Sequence, residues 1–197
     1  MNLNELLDQL DKVNSHGEAI EIARELTRRF PQSDDAWHAL YWNIGLNLSE
    51  AIDNERHLDQ QNELINEMRD AWQHYMVLCP RDYNTVWNMA GFMMKAGQYS
   101  EAAEMFLRSA KLHKEYGSGD EDYLLHVAFD YYHAAACYRL KKDYERALEC
   151  IDGAISTLEL SDFCLLKAKI LEDAGESLAA KEALSKADML AQAQEDY

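Results

Sequence analysis

Residues 83–115, YNTVWNMAGFMMKAGQYSEAAEMFLRSAKLHKE, decide the fold. Val86, Met89, Ala90 and Met93 recur at the spacing of one buried helical face. Ala96-Gly97-Gln98 interrupts that rhythm, and a glycine there supplies the left-handed residue that closes a helix. Helical spacing resumes at Ala102, Ala103, Phe106, Ser109 and Ala110, with small residues where a second helix must come close. The stretch is a helical hairpin. One hairpin cannot bury its own apolar side, so further copies are expected beside it.

The turn phrase returns in both directions. Residues 143–155, DYERALECIDGAI, repeat the second helix, after a first helix in 128–140, AFDYYHAAACYRL. Residues 174–187, AGESLAAKEALSKA, repeat it again after a helix beginning near Asp162, and 15–31, SHGEAIEIARELTRRFP, supply an early copy closed by Pro31. The equivalent alanines are Ala19, Ala102, Ala147 and Ala180. Ala147 and Ala180 lie about one 34-residue period apart. Ala102 to Ala147 overruns that period by about a third, and the surplus falls at 113–123, HKEYGSGDEDY, a loop or a helix extension. Pro31 to Pro80 overruns by nearly half a period. That surplus lies in the insertion at 47–61, a loop or an extension of either neighbour, and the helix after it, about Asn62 to Leu78, carries Met68, Trp72 and Tyr75 where smaller residues are usual.

This wording resembles the tetratricopeptide repeat (TPR) family over nearly the whole chain. The resemblance implies an all-α, right-handed superhelix of about five hairpins, read as one solenoid domain over 1–197. The repeats fall at about 1–33, 34–82 with the insertion, 83–127 with the loop, 128–160 and 161–197. Residues 132–147, YHAAACYRLKKDYERA, are also similar to the third repeat of the small acidic TPR chaperones of bacterial type III secretion, which hold a stretch of a secreted translocator.

Composition narrows the function. Two prolines and eight glycines in 197 residues are few, which suits an all-helical protein. The net charge of −17 argues against nucleic acid or an anionic membrane as partner, because those need clustered Lys and Arg. The amino terminus, MNLNELLDQLDK, reads as neither a signal peptide nor a membrane span. Cys79, Cys137, Cys150 and Cys164 form no CxxC pair and sit in apolar helical contexts, as small buried hydrophobes do. A soluble, cytoplasmic protein with reduced thiols is expected.

No catalytic motif emerges. His126, Asp130 and His133 share a helical face, but a metal site would need ligands from another element that the sequence does not identify. Gly117-Ser118-Gly119 lacks the phosphate-loop phrase and is flanked by acids. No nucleophile elbow, HExxH or Cys–His pairing is present, so no catalytic residue, metal or cofactor is assigned.

What the TPR resemblance does assign is a partner-binding groove, lined by the first helix of each hairpin. Carried over, that groove takes His38, Trp42 and Leu46 from the second repeat, and Asn84, Trp87, Met94 and Lys95 from the third. The fourth adds Phe129, Tyr132 and Arg139, and the fifth Lys169, so Trp42, Trp87 and Tyr132 are expected to form one strip. The alternative is that the overlong second repeat folds inward and covers them. The Lys and Asn clamp for acidic chaperone tails is not matched, since Trp42, Trp87, Gly91 and Tyr132 occupy those places. The expected function is a non-enzymatic adaptor or chaperone that binds a peptide segment of another protein, with a homo-oligomer left open. A toxin-neutralising immunity protein that covers a basic site with its acidic surface is the rival reading.

Overall fold

A computed structural model describes residues 1–55, 61–117 and 122–195. They form ten α-helices and no strand: α1 (Leu3–Leu10), α2 (His16–Arg29), α3 (Asp34–Asp53), α4 (Gln61–Leu78), α5 (Tyr83–Lys95), α6 (Tyr99–Tyr116), α7 (Tyr123–Leu140), α8 (Tyr144–Thr157), α9 (Ser161–Asp173) and α10 (Ser177–Glu195). The chain divides into two compact units, Met1–Asp82 and Tyr83–Tyr197.

The first unit holds α1 to α4. Asn2 and Glu5 cap α1 reciprocally: each side chain accepts the other's backbone N–H at 2.9 Å. Helix α2 buries Ala19, Ile20, Ala23 and Leu26, and packs on both α1 and α3. The forked guanidinium of Arg24 joins α2 to α4 through both carboxylate oxygens of Glu67, at 2.7 and 2.6 Å. The start of the insertion extends a helix: α3 continues to Asp53. Residues 56–60 of it lie outside the described residues. The bulky set on α4 is core, with Met68, Trp72 and Tyr75 all buried. Large side chains fill space here that small ones leave to a close helix approach elsewhere.

The second unit holds α5 to α10, in which most helix pairs in contact are chain neighbours, with α7 also reaching α9. Val86, Met89, Ala90 and Met93 are fully buried, and Ala102, Ala147 and Ala180 are buried on α6, α8 and α10. Helix α7 is covered on several sides by α6, α8 and α9, which is why apolar residues surround it. The loop read at 113–123 resolves into the last turn of α6, which runs to Tyr116, and a start of α7 at Tyr123. Residues 118–121 lie outside the described residues.

The three tight turns of this unit share one geometry. Gly97, Lys142 and Gly175 each take a left-handed φ, of 75°, 61° and 87°. In each, the next residue's N–H reaches back across the last turn: Gln98 to Met93 O at 2.9 Å, Asp143 to Tyr138 O at 2.9 Å, and Glu176 to Leu171 O at 2.8 Å. This closure satisfies carbonyls that the helix end would leave open. No helix among the described residues is long and apolar enough to cross a membrane.

Candidate functional site

Helices α5 and α7 of the second unit carry most of the expected groove residues. Trp87 is 40% exposed on α5. Its ring meets His133 of α7 at 5.9 Å and Phe106 of α6 at 6.4 Å, both edge-on. His133 stacks on Phe106 at 5.1 Å. Phe129, half-exposed, lies 6.0 Å from Tyr132, and both pack on Phe163 of α9 at 5.3 Å. The rings form one chain of aromatic contacts from α5 to α9. Burial holds the His133 imidazole below its ordinary range and, aided by Asp162, pushes the Tyr132 phenol up.

Asn84, Trp87, Asn88, His113, His126, Phe129 and His133 line an open cavity of about 540 Å³. That volume is in the range of sites that take a small ligand or a few side chains. Beneath it lies a buried acid–imidazole pair. His113 and Asp130 are 3% and 0% exposed, and His113 Nδ1 lies 2.7 Å from Asp130 Oδ2. Tyr83 covers the imidazole at 4.2 Å between ring centres, and His126 approaches it at 5.3 Å. Burial pushes the Asp130 carboxyl up, against the hydrogen bonds of His113 and Ser109, which favour the ionised form. Gly117, just after α6, is buried, and a Cβ there would stand 2.7 Å from the His113 carbonyl oxygen. The end of α6 therefore admits only glycine without moving backbone.

The remaining groove residues divide. Met94 and Lys95, at the end of α5, and the exposed Lys169 on α9 do not line the cavity. Arg139 is tied at 2.7 Å to Asp173 rather than presented as an open charge. In the first unit His38, Trp42 and Leu46 stand half-buried on α3. His38 and Trp42 stack at 5.9 Å and, with Leu7, Leu10, Asp11 and Asp35, line a separate cavity of about 470 Å³. Trp72 and Tyr75 occupy that unit's core, yet Trp42 remains partly open.

The spacing of His126, Asp130 and His133 does not translate into a metal centre. Asp130 turns to His113 instead, and among the described residues no three His, Cys, Asp or Glu side chains are placed to hold an ion. Sequence reasoning missed His113 altogether. The available signal was Asp130 itself, an acid on the helix face shared by Val127, Ala134 and Cys137, where a charge needs a partner. Cys79 also departs from expectation: it follows the end of α4, half-exposed, and its thiol donates to Asp34 at 3.5 Å.

No protein-family model matches the chain, and no curated protein matches it in sequence. Solved structures do. A MamA crystal structure is 16% identical, with 99% of this chain covering 94% of that one at a TM-score of 0.68. MamA residues 41 to the end from Desulfovibrio magneticus RS-1 are 14% identical, covering 98% and 94% at 0.61. BtubC from P. vanneervenii is 13% identical, covering 98% and 93% at 0.55. Identities this low show the fold, and that fold is an all-α array of TPR-like helical hairpins.

Proposed function

We propose that this chain is a non-enzymatic protein-interaction module, an adaptor or chaperone that seats a segment of a partner protein on the α5–α7 face of its second unit. The carrying observation is Trp87, a large ring left 40% exposed beside a cavity walled by Phe129 and His133. Exposed aromatics at the edge of an apolar cavity are what interface anchors look like before a partner covers them. The half-open His38 and Trp42 of the first unit offer a second contact of the same kind. Four free thiols suit the proposed cytoplasmic setting.

The test is Trp87→Ala. Truncating a central anchor typically costs about 2 kcal/mol or more in binding. Loss of a half-exposed ring should cost about 1 kcal/mol in stability. Immobilised mutant should therefore melt close to the parent yet lose the partner that the parent retains from native extract. A mutant that melts far below the parent would make Trp87 a core residue. A stable mutant that keeps its partner would remove this face from the mechanism. Raising the salt on the same column addresses the rival reading, since capture by 36 acids against 19 bases would weaken steeply whereas aromatic docking would not.

A further inference from the structure

His113 is a polar residue of the cavity whose hydrogen-bonding capacity the described residues do not fully use. One ring nitrogen, Nδ1, is engaged by Asp130. The other, Nε2, is buried and meets no hydrogen-bonding group among the described residues, although the ring lines the cavity. A carboxylate only accepts hydrogen bonds, so with Asp130 ionised and the imidazole neutral the ring hydrogen sits on Nδ1 and Nε2 carries a lone pair. A buried acceptor in that state is unfavourable until a donor reaches it.

We propose that the cavity seats a partner's aromatic side chain bearing one hydrogen-bond donor, tyrosine or tryptophan, whose O–H or N–H is accepted by His113 Nε2. The proposal rests on the groove reading above and gives it a chemistry. Trp87, Phe129 and His133 present flat rings suited to stacking or edge contact with another ring. Asp130, itself wholly buried, holds the imidazole in place through Nδ1. A phenylalanine would fill the same walls but leave Nε2 unmet. A lysine or arginine would have to surrender its hydration to a largely apolar space.

Side-chain mimics test this on the full-length protein without any substitution. At about pH 8, p-cresol, 4-methylanisole, toluene and n-butylammonium are titrated while indole and imidazole NMR signals are followed. A cavity without an acceptor disfavours the hydroxyl, so toluene would bind best there. With His113 as acceptor, p-cresol should bind about tenfold tighter than toluene and 4-methylanisole, shifting the Trp87 indole and the His113 ring. Equal or tighter binding of toluene or 4-methylanisole overturns the proposal, as does failure of p-cresol to bind. Preferential binding of n-butylammonium overturns it in favour of a lysine. The Trp87→Ala column experiment judges the groove separately, so an apolar anchor would refute the donor while leaving the groove intact.

Discussion

His133 lies between Phe106 and Trp87, and withdrawal from water holds its imidazole below the ordinary range. His38 is lowered by burial too, against the opposing charges of Asp82, Asp35 and Asp34. The unfolded chain takes up these protons near pH 6.5 while the native one does not. Their contribution to stability is therefore present above about pH 6.5 and is lost as pH falls from there through the lowered folded values. Between about pH 7.5 and pH 5, His133→Phe, which keeps a ring against Phe106, should lose less of its denaturant midpoint than the parent does. An unchanged pH slope in the mutant would show that His133 protonates as freely in the fold as out of it. At this scale the sequence was only half informative. Helical spacing put His133 and Asp130 on related faces of one helix, but the imidazole that engages Asp130 comes from α6, across a connection whose length breaks the repeat period.

Lys142 occupies the left-handed turn position that Gly97 and Gly175 occupy in the neighbouring hairpins. A side chain there is strained, and glycine relieves the strain at the expense of a more flexible unfolded chain. Lys142→Gly should raise stability by about 0.5–1 kcal/mol, seen as a higher denaturant midpoint with an unchanged slope. A lower midpoint would mean that the lysine side chain contributes more than its backbone costs. The cysteines report on the same hairpins. Cys137, Cys150 and Cys164 are buried, and burial pushes the first two thiols up to about 12 and about 11. One thiol, Cys79, should label in native protein and the other three only after denaturation, as counted by mass spectrometry. Prompt native labelling of Cys137 would contradict its place between packed helices. Elements were the most legible level of this chain. The Val86–Met93 stripe and the four alanines are buried where a 3.6-residue rhythm put them, because small residues and close helix approach leave one register. The overruns were not legible: α3 continues to Asp53 with Leu48 and Ala51 buried, and burial of that kind is set by tertiary packing that no local pattern records.

The molecule carries 36 acids against 19 bases, and several of its bases answer acids one turn away, such as Arg24 with Glu21, Arg28 with Glu25 and Arg146 with Asp143. Such pairs are local and weak, so the charge serves solubility and long-range steering more than cohesion. What holds the second unit together is contact between helices that follow one another along the chain, with the link from α7 to α9 as an addition. A fold wired to its chain neighbours in this way has no single closing step. Its hairpins can open in sequence from an end, and each opening exposes only one helical layer. Native-state amide exchange should therefore be graded along this unit instead of uniform. Helix α10, packed on α9 and carrying Leu178 and Met189 to solvent, should lose its protons first, and α7, covered from three helices, should keep them longest. A flat profile, with every core amide exchanging at one rate, would mean that the unit opens all at once. If the gradient is found, a partner seated on α5 and α7 grips the most persistent helix of the unit, and α10 remains free to breathe while the complex holds.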